Sequence, residues 1–444
     1  MARRADSQLD RLLGLEYYGL DGAGTGGKLR SSLDDFIVRE ISIDGEVASP
    51  ECKYAEGAGE FTWLVLEKRK IDTVSAARAV ARFFGLKLRD VGIAGLKDTS
   101  AVTYQFISIP GEVKMESIEE FNLSHKRVKL HCPFRRPFAL KPGMLYGNFF
   151  NVKVRGAECL ECLEALLREL KEKKAVPNYY GYQRFGTVRP VTHVVGRMIL
   201  LGEFKEAVEE LIYKVFPGES QVSRRARLFL SESGDPLKAL ELFPKSLKSE
   251  RAVLRHLARH PGDYVGALRA VSPYVKKLFI GAYQAYLFNK LLSKRIERGL
   301  SYYYPVPGDT VGIFREKRGG EVTGVLKVND ANVEKVKRWI DEGFAVLLLP
   351  VFGYNSNLSH GVVGEIEREL LREEGIDVSM FRVKQIPEAS SAGTYRYASL
   401  VPHALNVRVF GNDYELTFVL NKGAYATTLL RELVKPVEPA RQGF

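Results

Sequence analysis

Long apolar runs are absent from this chain of 444 residues, which excludes a helical membrane protein. The longest run, Phe344 to Phe352, is broken by Pro350, whereas a membrane-spanning helix needs ~20 apolar residues in succession. The opening Met-Ala-Arg-Arg-Ala-Asp has no apolar core of a secretory signal, so a cytoplasmic protein is expected. Cysteine is scarce. Four cysteines do not suggest a secreted disulfide framework. Cys52 and Cys132 stand alone, and Cys159 and Cys162 make a single C-x-x-C inside a helical pattern. Structural zinc needs about four well-placed ligands, so no metal site is expected. His256 and His260 share a helix face, but Leu257 excludes the zinc-protease pattern and leaves them part of a basic helix. Internal repeats and low-complexity tracts are also missing.

Positive charge is in excess, with 66 Lys and Arg against 54 Asp and Glu and a formal net charge of +12. Such a balance suits a polyanionic partner. The length allows two or three domains and a sizeable core. Phe61, Trp63 and Val65 alternate with their neighbours, which predicts a strand with one well-buried face. Thr73 to Phe84 carries apolar residues at helical spacing, with Asp72 or Thr73 to cap its start and Gly85 to end it. Val102, Tyr104 and Phe106 alternate again up to Pro110, and Phe150, Val152 and Val154 form a strand before a charged helix near Glu158 to Glu172. Strand patterns with short connections favour an α+β sheet with helices on one side. Residues near 193–275 are helix-rich and charged, a longer helix follows from about Tyr274 to Arg298, and two strands meet at the turn Gly411-Asn412-Asp413.

Chemistry concentrates in a short turn between two apolar runs, Gly95-Leu96-Lys97-Asp98 followed by Ala101-Val102-Thr103. Asp98 is the candidate catalytic carboxylate; Gly95 permits a tight backbone and Lys97 is placed to help keep the acid ionised. Other blocks accompany it: Gly24-Thr25-Gly26-Gly27-Lys28-Leu29-Arg30, Asp34-Asp35-Phe36-Ile37-Val38-Arg39-Glu40, and Gly147-Asn148-Phe149-Phe150. Further along come Pro177-Asn178-Tyr179-Tyr180-Gly181-Tyr182-Gln183-Arg184-Phe185-Gly186, Tyr286-Leu287-Phe288-Asn289, Arg396-Tyr397-Ala398-Ser399, and Phe418-Val419-Leu420 before Gly423-Ala424-Tyr425-Ala426-Thr427. In this order the blocks resemble the TruD family of tRNA pseudouridine synthases, in its archaeal type. Gly22 to Lys28 also imitates a phosphate-binding loop. Leu29 stands where a magnesium-binding hydroxyl is needed, and a β-type run follows in place of a helix, so a nucleotide hydrolase is not expected.

The resemblance implies an α+β fold: a mixed, mostly antiparallel sheet with helices, interrupted by an inserted α/β domain. By motif position the catalytic domain occupies 1–204 and 396–444, around a family-specific domain at 205–395. The implied activity is isomerisation of uridine to pseudouridine in tRNA, at position 13, by a monomer with no metal, nucleotide or redox cofactor and no membrane. The alternative is a non-catalytic RNA-binding protein on the same fold, against which the presence of Asp98, Asn178 and an aromatic at 180 speaks.

Residue by residue, Asp98 fills the catalytic role; whether it attacks base or sugar, or takes a sugar proton, stays open. Arg30 stands where the family has lysine, and is expected to pair with Asp98. Tyr180 stands where phenylalanine is usual, and is expected to stack on the flipped base or to take part through its hydroxyl. Asn178 suits a uracil edge or the fixing of its own loop, and Phe418 is a second substrate aromatic. Lys97 completes the substrate-binding set. RNA contact is expected from Lys126, Arg127, Lys129, Arg135 and Arg136, interleaved with Phe134 and Phe138, and from basic residues of the insertion such as Arg224, Arg225 and Arg227.

Overall fold

The computed structural model describes residues 2–186, 188–315 and 322–444. Its first strands are β1 (Phe36–Ser42), β2 (Phe61–Arg69), β3 (Gly92–Ile93), β4 (Val102–Pro110), β5 (Val128–Arg136), β6 (Leu145–Val154) and β7 (Val176–Pro177). Later come β8 (Thr310–Phe314), β9 (Val322–Lys327), β10 (Ala345–Val351), β11 (Thr394–Tyr397), β12 (Ser399–Leu400), β13 (His403–Phe410) and β14 (Asp413–Asn421). The main sheet runs β13-β14-β6-β1-β4-β2-β5, with β3 on β4. Its β1–β4 pair is parallel, and the others, such as β1–β6 and β6–β14, are antiparallel. This is the mixed, mostly antiparallel α+β sheet expected. A second sheet, β11-β10-β8-β9, lies largely within the expected insertion, and its last strand in the chain, β11, straddles the 395/396 boundary.

Local chemistry accounts for the elements. Asp72 caps the helix Thr73–Phe83 by accepting from the Ser75 amide at 2.8 Å, and Gly85 follows in the left-handed region. The helix Pro273–Glu297 starts with proline behind the Ser272 cap and buries Phe279, Leu287 and Phe288. It lies so close to the helix Thr192–Leu201 that a side chain at Gly196 would run into the Phe279 carbonyl. One apolar cluster joins Phe36, Phe150 and Phe418 of the main sheet, through Phe279 and Leu287, to Val311 and Leu347 of the second.

Two expectations change. Strand β2 is buried on both faces: Leu64 and Leu66 meet Ala76, Ala77 and Phe121 of two helices, while Trp63 and Val65 meet Phe106 and Phe134. Loop residues cover the face that helices leave open, so a strand central to the sheet needs no polar side. The cysteines are also paired, as Cys52–Cys132 and Cys159–Cys162. Cys52 reaches β5 because Tyr54 stacks on Phe134 at 4.8 Å, a contact that sequence separation hides.

Candidate active site

Asp98 lies in the loop between β3 and β4, at the rim of the main sheet. Buried polar side chains fix the loop's backbone from below. Lys68 of β2 donates to the Asp98 carbonyl at 2.6 Å and to that of Lys97 at 3.3 Å. Thr73 Oγ1 accepts from the Lys97 amide at 3.0 Å and donates to Gln105 Oε1, whose amide nitrogen donates to the Gly95 carbonyl. Burial pushes the Lys68 ammonium down to about 8, against the attraction of Asp98 and Asp72. Gly95 itself is not in the left-handed region, and a side chain there would come no closer than 3.4 Å to Lys97 Nζ. The tight turn therefore depends on Lys68, Thr73 and Gln105 rather than on the glycine.

Arg30 reaches Asp98 Oδ2 at 3.6 Å, with Asp98 45% exposed and Arg30 only 13%. The planar guanidinium does more than neutralise. Nε donates to the Ser100 carbonyl at 3.1 Å, a terminal nitrogen donates to the Gly443 carbonyl at 2.6 Å, and the group lies 4.0 Å over the Phe36 ring. Burial draws the guanidinium below its usual range, and Asp98 opposes this. Its backbone sits at φ 53°, a conformation that a non-glycine residue holds only when its surroundings over-determine it. An ammonium cannot make the fork and the stack together. Arg30→Lys should therefore cost about 1–2 kcal/mol of stability, read as a lowered denaturation midpoint with an unchanged slope; an unshifted midpoint would mean the fork is ornamental.

Lys97 is not the partner of Asp98. Its Nζ meets Glu40 Oε2 of β1 at 2.5 Å, with the two side chains 4% and 1% exposed. Burial raises the Glu40 carboxyl above its ordinary range, and Lys97 pulls it back. The lysine's charge is thus committed beneath the loop, and Arg30 alone of the expected cations faces the Asp98 carboxylate.

Two cavities share Asp98, Lys97 and Gln183. One of about 760 Å3 is bordered by Arg30, Lys70 and Ser100, and one of about 290 Å3 by Phe150, Asn148 and Tyr425. Neither expected aromatic lines this second cavity. Phe418 is fully buried and stacks on Phe150 at 5.2 Å. Tyr180 lies 6.2 Å from Tyr425, with Arg396 at 4.1 Å over its ring and Phe288 against its edge. Asn178 fixes its own loop, one of the two roles open to it: its amide donates to the Tyr397 carbonyl at 3.0 Å and accepts from Arg396 at 3.0 Å. Arg396 also donates to the Gly423 carbonyl at 2.7 Å, tying β11 to the loop that carries Tyr425.

The family model described as tRNA pseudouridine synthase D (TruD) matches residues 12–433. The chain belongs to the TruD family. A protein of Pyrobaculum aerophilum named "Probable tRNA pseudouridine synthase D" is 39% identical over 98% of both chains. One of the same name from Methanopyrus kandleri is 39% identical over 85% of this chain and 86% of its own. The crystal structure of a Methanosarcina mazei protein named "Putative tRNA pseudouridine synthase D (TruD)" superposes with a TM-score of 0.80 at 34% identity, covering 97% of this chain and 98% of the other. Within this TruD chain, Glu40, Lys68, Thr73, Gln105 and Arg396 escape a reading of single residues. Glu40 and Arg396 stand inside quoted blocks, whereas Lys68, Thr73 and Gln105 carry no motif and are visible only through strand pairing.

The basic segment divides on inspection. Lys126 and Arg127 are exposed, and Arg127 reaches the carbonyl of Lys70 at 3.5 Å, on the border of the larger cavity. Lys129 donates to the Asn122 carbonyl. Arg135 donates to Thr62 and to the carbonyls of Gly59 and Gly111, and Arg136 pairs with Glu46 at 3.1 Å. These three brace edge strand β5. On the helix Gln221–Ser233, Arg224 and Arg225 are exposed, but Arg227 is fully buried between Glu219 and Glu250. The Gly24–Lys28 loop hands its amides to backbone: Thr25 to Leu433, Gly26 to Val434 and Lys28 to Arg155. A side chain at Gly24 would lie 2.5 Å from the Val434 carbonyl, so this glycine serves a close crossing of two chain segments. No helix of the described residues is long and apolar enough to cross a membrane.

Proposed function

We propose that this TruD chain isomerises uridine to pseudouridine in tRNA, with Asp98 as the catalytic carboxylate and the uridine at tRNA position 13 as its target. The observation that carries the reading is a carboxylate paired with Arg30 at the junction of two cavities, one lined by aromatic rings. In the reaction the bond from ribose C1′ to N1 breaks, a bond from C1′ to C5 forms, C5 gives up its proton and N1 gains one. A base in a duplex or stacked loop must first be extruded to reach such a carboxylate. In this proposal the enzyme acts as a monomer. A transcript labelled with tritium at uridine C5 should release tritium, and sequencing should place pseudouridine at position 13. A transcript with cytidine there should be inert. Pseudouridine at another site would move the target and keep the chemistry; none anywhere would end the proposal.

In this reading 1–204 and 396–444 carry chemistry, and 205–395 contributes affinity or site choice. Phosphates would be met by Lys126 and Arg127 beside the larger cavity, and by Arg224 and Arg225 on the insertion. Every phosphate that a variant no longer neutralises should flatten the plot of log affinity against log salt by about 0.7–0.9. Replacing Lys126 and Arg127 together by alanine should therefore lower the slope by roughly 1.5, with single-turnover rate at saturating tRNA retained; Arg224→Ala with Arg225→Ala should act likewise. A slope equal to the parent's in either pair removes that patch from the interface. Arg227 is left intact in this experiment because its loss would leave two buried carboxylates to Arg189 alone among the described cations.

A further inference from the structure

Moving a sugar bond from one atom of a base to another requires that the base be held while it has no covalent link. We infer that Asn148 and Gln183 grip the uracil edge during that interval, an assignment that rests on the function proposed above. Asn148 lies on β6 opposite Glu40, and Gln183 lies in the short turn Tyr182–Arg184. Both face the about 290 Å3 cavity beside Asp98, and Gln183 also borders the larger one. Asn148 Oδ1 is shielded from solvent yet has no hydrogen-bond partner among the described residues. The Gln183 side chain is exposed in the cavity wall and makes no hydrogen bond among the described residues. A side chain at Gly181 would come within 3.1 Å of Gln183 Oε1 and 3.0 Å of Thr427 Oγ1, so the glycine keeps room for this amide. Three other polar groups of the site are engaged: Asn178 by Tyr397 and Arg396, Lys97 by Glu40, and Lys68 by loop carbonyls.

The geometry of the reaction suits two amides. Half a turn of uracil about its C6–N3 axis exchanges N1 with C5 and O2 with O4, and leaves N3–H in place. An acceptor on N3–H keeps its bond through the turn. A donor that faces O4 beforehand meets O2 afterwards. Asn148 Oδ1, lacking a donor, is the acceptor, and the Gln183 amide nitrogen is the donor. The turn also exchanges the two faces of the ring, and the rings of Phe150 and Tyr425 accept either face. The pair makes and breaks no covalent bond.

The test uses the full chain and a tRNA transcript carrying tritium at C5. Asn148→Leu and Gln183→Met remove the amides at similar size. Each should slow single-turnover release at least tenfold while the tRNA dissociation constant moves less than threefold, and Gln183→Asn should recover part of the rate. A transcript with 4-thiouridine at the target, followed by nucleoside chromatography, separates contact from mere support. Sulfur is the poorer acceptor and should slow the parent, whereas Gln183→Met, already without the donor, should lose less from the same replacement. Equal fold-losses in parent and Gln183→Met would overturn the grip, as would parent-like rates in both amide-free variants. A parent protein that converts no uridine would instead overturn the function on which the grip rests.

Discussion

Asp98→Asn should abolish tritium release from C5 of a tRNA transcript, by about 10⁴-fold, while tRNA binding stays within a few-fold of the parent. The size of the loss follows from the role, since removal of a group that acts as nucleophile or base leaves only binding and orientation behind. The surroundings offer no replacement. Glu40, the carboxylate beneath the loop, is buried and held by Lys97 at 2.5 Å. The fold should survive because the loop is anchored through its backbone carbonyls and amides, to Lys68, Thr73 and Gln105, and not through the Asp98 side chain. Arg30 keeps its bonds to the Ser100 and Gly443 carbonyls. Affinity should hold because a lone carboxylate repels phosphate if it acts on it at all. Release near the parent rate from a folded Asp98→Asn protein would sink the catalytic assignment.

What was legible in the sequence had local causes. The helix Thr73–Phe83 announces itself by an aspartate cap, an apolar face and a closing glycine, each within a few residues of the others. The pairing of Arg30 with Asp98 could be read from two short blocks, and the two side chains stand 3.6 Å apart. What was hidden depends on register and layering. The alternation of β2 does not reveal that two different clusters cover its faces. Phe418 and Tyr180 have the chemistry of stacking residues, but the rings that line the cavity are Phe150 and Tyr425, their ring neighbours. The arginines at 224, 225 and 227 read alike, yet the helix Gln221–Ser233 turns two outward and one into the core. A helical period predicts that one of three close neighbours can face inward; only the carboxylates of Glu219 and Glu250, waiting on other turns, say which. Lys97 misled for a similar reason, because its true partner lies across the β1–β4 pairing and not beside it in the loop.

The Glu40–Lys97 pair carries the other large expected effect. Both groups are nearly excluded from solvent, and removing one partner leaves an uncompensated buried charge, which costs about 3–5 kcal/mol. Glu40→Leu alone should therefore lower the denaturation midpoint strongly. Adding Lys97→Met removes the stranded charge, and apolar replacement of a whole buried pair is commonly neutral or stabilising. The double variant should recover much of that loss but stay about 1–3 kcal/mol below the parent, because the buried Phe106 amide still lacks its acceptor; a thermodynamic cycle reads the coupling of the pair directly. Activity should not follow. Glu40 also accepts from the Phe106 amide at 3.2 Å, so one carboxylate joins β1, β4 and the loop that aims Asp98. Two apolar side chains fill the same volume without that direction, and a loop displaced by even an ångström from its productive position can lose about 10²-fold in rate. A stable double variant with single-turnover release well below the parent is the expected result. Recovery of both stability and rate would assign the pair to stability alone and leave Lys68, Thr73 and Gln105 as the groups that aim the catalytic loop.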